Sequence, residues 1–387
     1  MLLSKLPFNL IPRFFPDYSY INIISSIFDI NKKTYDELLD NSLFKLNRLF
    51  YLSDARTGIY AILKTLPPGE IIIPAYICQV VPSIVKLSNH CPVFVDINDQ
   101  LSLSIEKIRS KITKKTRAII AAHIFGFPVN IIDLFELTRA FNLLLVEDAA
   151  AAFGGSIQGK PLGKFGDASI FSFGKGKPLW INKGGLLLIN NRKMEDDIIR
   201  ALANFKKASP FFSTFTALIN KILYHPHIFP WVYKIQRDRM GGDFWEDGMS
   251  HGNRIDFYQM DNFTKRLLRT QHVRWQSKIE RRRQIARAYR EKIKNPQLRH
   301  IEVSADRVPA WPCYPLLVSQ RKRFFYYMQK RGIDLSWSWN YSSAEIYGQN
   351  DCPNASYIAQ NILSLPTHRA MHNRDVEYII RIANEFS

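Results

Sequence analysis

The sequence predicts an α/β fold: a mainly parallel sheet flanked by helices, followed by a smaller C-terminal α+β domain. Three observations predict it. Between residues 50 and 192, short apolar runs alternate with helix-period segments, the βαβ rhythm of a parallel sheet covered on both faces. Pro74, His123 and Asp148 fall at the carboxyl ends of apolar runs, where open α/β sheets collect their ligands. The 387 residues, 46% hydrophobic and 22% charged, suffice for one large core and one smaller one.

The elements follow in order. Ile71-Ile72-Ile73-Pro74 reads as a strand, residues 80–88 as a helix, and Val93-Phe94-Val95-Asp96 as a strand. Residues 105–111 read as a helix, 117–122 as a strand, 131–141 as a helix and 143–146 as a strand. Shorter strands at 168–173 and 186–189 complete the sheet. One long helix over 262–294 leaves the large domain; a strand near 311–318 and helices at 320–331 and 375–385 build the second. Gly332 after Lys330-Arg331 is a helix stop. These boundaries predict an N-terminal segment over 1–50 packing on a large domain at 51–260, and a small domain at 261–387. Within the large domain, residues 208–238 crowd Phe211, Phe212, Phe215, Ile222, Phe229 and Trp231 together. Core or subunit packing is the expectation there, and a membrane-surface element the less favoured one.

Lysine and arginine number 53 against 34 acids, a formal charge of +19 that draws in anions. The basic residues are spread, with local density at 278–290 and 321–331, and no helix-turn-helix, zinc finger or RNP-like motif accompanies them. A nucleic-acid partner is not expected. Cys78, Cys91, Cys313 and Cys352 form no CxxC pair, which indicates neither a metal site nor a disulfide framework and suits a reducing compartment. Residues 1–15 lack the apolar core and cleavage site of a signal peptide, and no apolar run reaches spanning length; the expected location is the cytoplasm.

The chemistry concentrates in one segment. Leu143-Leu144-Leu145-Val146 ends in Glu147-Asp148-Ala149-Ala150, and Phe171-Ser172-Phe173-Gly174-Lys175-Gly176-Lys177-Pro178 follows. Pyridoxal phosphate needs a lysine for its aldehyde and an anion for its pyridinium nitrogen, and this segment supplies both types. Lys177 or Lys175 can be the amine; in an extended segment the two share one side. The bland alternatives are a surface lysine in a turn and a helix N-cap aspartate.

The ordered motifs resemble the DegT/StrS-type sugar aminotransferases, pyridoxal phosphate enzymes of fold type I, which implies a seven-stranded sheet. The resemblance rests on Leu52-Ser53-Asp54-Ala55-Arg56-Thr57-Gly58, Ile73-Pro74-Ala75-Tyr76, Val93-Phe94-Val95-Asp96-Ile97, Ala122-His123-Ile124-Phe125-Gly126-Phe127-Pro128, Glu147-Asp148-Ala149-Ala150, Ser172-Phe173 with Lys177, and Gly184-Gly185. Glu280-Arg281-Arg282-Arg283-Gln284-Ile285-Ala286, Cys352-Pro353-Asn354-Ala355 and Ile362-Leu363-Ser364-Leu365-Pro366-Thr367-His368 extend it through the second domain.

The resemblance implies that Lys177, at the family's spacing from Ser172, forms the Schiff base and shuttles protons. Asp148 pairs with the pyridinium nitrogen, Ser172 offers its hydroxyl to the phosphate, and N–H groups of Ala55, Arg56 and Thr57 add donors at a helix start. The Arg56 side chain either reaches phosphate or is a surface charge. His123 is either a packed structural histidine or a cofactor contact. Tyr76 and Cys78 both lie near the position that covers the cofactor ring: Tyr76 is aromatic but early, Cys78 aligns better and stacks less well.

Three positions depart from the family pattern. Ala151 stands where a glutamine contacts the ring oxygen, Asn182-Lys183 precede Gly184-Gly185 in place of Gly-Glu, and Phe257-Tyr258-Gln259-Met260 lacks the asparagine a partner subunit lends. The implied reaction transfers an amino group from an amino acid, glutamate by family habit, to a nucleotide-linked keto-sugar in amino-sugar or cell-surface polysaccharide biosynthesis. The implied assembly is a homodimer. Two other readings stay open: a pyridoxal phosphate-dependent sugar dehydratase on the same scaffold, and a non-catalytic basic protein of the membrane surface.

Overall fold

A computed structural model describes residues 10–28, 48–240, 257–272, 274–337 and 339–387. Thirteen strands are described: β1 (Arg48–Leu52), β2 (Glu70–Pro74), β3 (Cys91–Val95), β4 (Thr116–Ala122), β5 (Leu144–Asp148), β6 (Ser156–Ile157), β7 (Lys160–Pro161), β8 (Ala168–Ser172), β9 (Gly185–Ile189), β10 (Leu298–His300), β11 (Arg307–Val308), β12 (Tyr314–Val318) and β13 (Ile362–Leu365). Seven form one sheet in the order β1-β9-β8-β5-β4-β2-β3. β3, β2, β4, β5 and β8 run parallel, and β9 and β1 close the other edge antiparallel. The mainly parallel, seven-stranded sheet implied by the resemblance is therefore present: six strands fall on the apolar runs, and β1 is a seventh that none of those runs announced.

The strands are β-branched or leucine-rich runs whose central residues are buried on both faces: Ile71–Ile73, Ala118–Ala121 and Leu186–Leu188 expose almost nothing. Helices Ala55–Leu63, Val80–Leu87, Ile105–Lys111 and Ile131–Ala140 cover the sheet. Ser104 caps the third of these by accepting the Lys107 N–H. Because β3 lies on one side of β2 and β4 on the other, the chain changes direction here, and the carboxyl ends of β2, β4, β5 and β8 open onto one crevice.

β10, β12 and β13 form a separate antiparallel sheet, with helices Arg321–Lys330, Pro353–Asn361 and Asn373–Asn384. Gly332, at φ +75°, follows the first of these as expected, a backbone conformation glycine takes without steric cost.

The long helix expected over 262–294 is instead two, Asn262–His272 and Trp275–Lys292. The first packs on helices Tyr20–Phe28 and Pro210–Leu223, the second on Asn373–Asn384, so each half follows a different surface. The described part of the N-terminal segment ties to the C-terminal elements as well as the sheet: Ile11 N–H donates to Gly332 O over 2.8 Å, and Asp17 N–H to Trp180 O over 3.1 Å. The remainder of the expected 1–50 segment lies outside the described residues.

Candidate active site

The crevice at the sheet's carboxyl edge holds a cavity of about 200 Å³ that opens to solvent. Lys177, Asp148, Ser172, Ala55, Arg56, Cys78 and His123 line it, drawn from the last residues of β5 and β8, the loops after β8, β2 and β4, and the helix after β1. Thr57 and Tyr76 do not.

Asp148 is the last residue of β5 and its backbone is fixed on both sides. His123 N–H donates to its carbonyl over 3.0 Å, and Ala149 N–H donates to Ile170 O over 3.0 Å. Its carboxylate Oδ1 accepts the Ala150 N–H at 3.0 Å. Burial among protein atoms raises the carboxyl's pKa, offset in part by that N–H and by the charge of Lys177. A cation placed beside it inside the cavity would restore the carboxylate.

The neighbouring acid points the other way, as alternation along a strand requires. Glu147 is buried and accepts His123 Nε2 at 2.9 Å and the N–H groups of Gly163, Phe165 and Gly166 at 2.5, 3.0 and 3.2 Å. Burial pushes its pKa up, but these donors outweigh it and hold it below the ordinary value. Val129 N–H donates to His123 Nδ1 at 3.2 Å, so the histidine proton sits on Nε2 and points at Glu147. His123 thus lines the cavity with both nitrogens already engaged: a structural histidine offering a ring face.

Lys177 and Lys175 separate clearly. Gly174 and Gly176, the latter at φ +76°, turn the loop so that Lys177 lines the cavity, while Lys175 Nζ lies 5.5 Å from the Tyr224 ring centroid. Trp339 and Phe125 form an aromatic wall with rings 6.0 Å apart. Tyr76 sits behind it, its hydroxyl donating to Trp339 O at 3.0 Å and its ring 5.4 Å from Trp339. Tyr76 is fully buried and lies off the cavity. Cys78 does line it, its thiol pKa raised by burial.

The helix Ala55–Leu63 points its N-terminus at the same crevice, capped by Asp54, whose Oδ1 accepts Thr57 N–H and Oγ1, both at 3.0 Å. Thr57 N–H is therefore taken, leaving Ala55 and Arg56 as the first-turn residues at the cavity. Arg56 Nε stands 3.4 Å from Asp54 Oδ1. Close packing sets this turn: a Cβ on Gly185 would lie 2.5 Å from Ala55 N, and one on Gly58 2.7 Å from Ile170 Cγ2.

Several lining residues carry no local sequence signal. Ile77, Val80, Ile124, Phe125, Ile170 and Trp339 make the apolar walls, and Trp339 arrives from the distant C-terminal part of the chain. Asp54 was legible as an N-cap from its place before Ala55-Arg56-Thr57.

An amine, a half-buried carboxylate, a hydroxyl and a helix N-terminus converging between apolar walls are the donor set pyridoxal phosphate requires, so the residues present fit that cofactor. With the mainly parallel sheet, they define a pyridoxal phosphate enzyme of fold type I. Residues 57–383 match the DegT/DnrJ/EryC1/StrS aminotransferase family, and the chain belongs to it.

Among its relatives is the GDP-perosamine synthase of Escherichia coli O157:H7, 33% identical over 46% of this chain and 51% of that protein, so that match spans about half of each. The dTDP-3-amino-3,6-dideoxy-alpha-D-galactopyranose transaminase of Aneurinibacillus thermoaerophilus is 24% identical over 82% of this chain and 78% of that one. The fold is that of Helicobacter pylori PseC, an aminotransferase involved in pseudoaminic acid biosynthesis, at TM-score 0.77, 17% identity and coverage of 97% and 98%.

Proposed function

We propose that this protein transfers an amino group from an amino acid, glutamate in the first instance, to a keto-sugar carried on a nucleotide diphosphate, in amino-sugar or cell-surface polysaccharide biosynthesis. The observation that carries the reading is that Lys177 and Asp148 line one cavity while Lys175 does not. When bound, pyridoxal phosphate accepts the amino group from the donor and passes it to the acceptor, its protonated ring absorbing electrons. Asp148 keeps the ring nitrogen protonated, and the backbone bonds on either side of it hold the carboxylate in register. Lys177 would hold the cofactor through its aldehyde and would be the base that moves a proton at the substrate carbon.

Ser172, with Ala55 and Arg56 at the helix N-terminus, would hold the phosphate. Ile124, Ile170, Phe125 and Trp339 exclude water from the ring. Ala151 lines the cavity in place of a glutamine amide, so the ring oxygen loses that donor. The named relatives act on GDP- and dTDP-linked sugars, and the charge of +19 favours such anions. The working form is a cytoplasmic homodimer, a reading supported by family habit alone.

Incubating the cofactor-loaded protein with glutamate and a panel of nucleotide keto-sugars tests this by mass spectrometry. An aminated nucleotide sugar is expected. A dehydrated sugar, or no change with any acceptor and no 2-oxoglutarate, would contradict it.

A further inference from the structure

Helix Pro210–Leu223 is packed inside out. Its inward residues are Ser213 and Ala217, Ser213 Oγ donating to Asp261 over 2.6 Å, while Phe211, Phe212 and Phe215 stand 72%, 64% and 53% exposed. Helix Tyr20–Phe28, packed against it, does the same: Ile23 and Ser26 point in, and Ile21 and Phe28 are 76% and 72% exposed. On helix Phe229–Met240, Phe229 and Tyr233 are buried while Trp231 and Ile235, one turn apart, face outward. Of the expected core or subunit packing over 208–238, core packing holds for Tyr224, Phe229 and Tyr233, while the outer aromatics leave exposed apolar surface on a basic ground.

The charge pattern says what the patch meets. Residues 198–237 contain Arg200, Lys206, Lys207, Lys221, Lys234 and Arg237 and no aspartate or glutamate, and Tyr20–Phe28 carries no charge. Lys206, Lys207 and Lys234 are exposed. A two-fold contact with a second copy through this patch would set these lysines against their own kind. Among the described residues no helix is long and apolar enough to cross a bilayer. Exposed phenylalanine and tryptophan ringed by lysine are the composition of helices that lie in the membrane interface.

We propose that this face rests on the surface of an anionic bilayer, Phe211, Phe212, Phe215 and Trp231 entering the headgroup region and Lys206, Lys207 and Lys234 meeting lipid phosphates. A soluble enzyme would then work at the membrane, beside whatever consumes its product.

Co-sedimentation of the intact protein with vesicles of phosphatidylcholine, alone or mixed with phosphatidylglycerol, tests it. Binding is expected only to the mixed vesicles, to fall on raising salt, and to drop on the order of tenfold or more in Phe211→Ser/Phe215→Ser/Trp231→Ser. A second variant, Lys206→Glu/Lys207→Glu/Lys234→Glu, leaves the aromatics in place and should lose binding too. Neither set lines the cavity, so cofactor binding should persist. The proposal is overturned if wild type stays in the supernatant with both vesicles, or binds both equally. It is also overturned if the serine variant falls to half the wild-type mass by sedimentation velocity, which would make the face a contact between copies.

Discussion

Arg282 donates from Nε to the carbonyl oxygen of Pro178 over 3.0 Å, one residue beyond Lys177. Its Nη2 lies 3.5 Å from Asp17 Oδ2, both side chains being almost fully buried, and Asp17 Oδ2 also accepts the Trp180 N–H at 2.8 Å. The loop that carries the lysine is therefore clamped just downstream by an ion pair joining the N-terminal segment to helix Trp275–Lys292. Arg369 adds a second cation 3.5 Å from Asp17 Oδ1.

We predict that Arg282→Met lowers unfolding free energy by about 1.5–3 kcal/mol, since the Pro178 and Pro312 carbonyls lose a charged donor while Asp17 keeps Arg369 as its cation. Adding Asp17→Asn should recover part of the loss. Urea titrations of both singles and the double variant check this; strictly additive losses would mean the two residues are not coupled.

Asp148 holds its proton more tightly folded than unfolded, because burial raises its pKa. The sign follows: cofactor-free stability falls as pH rises from the ordinary carboxyl value to the raised one, and the penalty is fully present above it. Asp148→Asn should thus make the apoprotein more stable near neutrality, on the order of 1 kcal/mol, while losing the cofactor. An apoprotein melting lower than wild type would refute the buried-charge account.

Gly185→Ala should displace the Asp54-Ala55 turn, because the added methyl would overlap its backbone. Overpacking of this kind costs about 1–3 kcal/mol. Cofactor affinity should fall in parallel, read by titrating pyridoxal phosphate into the apoprotein; unchanged affinity would place the phosphate elsewhere.

His368 is buried, with Nε2 donating to Pro12 O at 2.7 Å and its pKa pushed down to about 3 by burial, Arg282 and Arg369. As pH falls below 6.5, the unfolded chain gains a proton the folded one refuses. Stability should then drop by about 1.4 kcal/mol per pH unit. Glu147, whose pKa is lowered from 4.5, loses its own contribution only further down, whereas His300, also held below 6.5, and the raised Asp148 and Asp334 add their own slopes, so the His368 contribution is the difference between wild type and a His368 variant. Guanidinium titrations below pH 6.5 should show a shallower slope for His368→Gln; identical slopes would contradict the assignment.

The sequence carried the parallel sheet because its strands are uninterrupted apolar runs, and it carried Lys177, Asp148 and Ser172 because each follows such a run. Tyr76 and Thr57 were mispositioned at the cavity for a local reason: one residue's rotation about a loop decides whether a side chain faces it, and Asp54 consumes the Thr57 N–H. Trp339 and the Asp17–Arg282 clamp depend on contacts between segments far apart in sequence, which no local pattern reports. The break near residue 273 was hidden because both halves have helical periodicity and only their packing partners differ.

The central claim is that Lys177, and not Lys175, holds the cofactor. Borohydride reduction of the loaded protein, followed by peptide mass spectrometry, locates the cofactor covalently. The account predicts the label on Lys177, absent from Lys177→Ala and unchanged in Lys175→Ala, with transamination falling about 10²–10⁴-fold in the first variant only. A label on Lys175, on another lysine, or persisting in Lys177→Ala would contradict it.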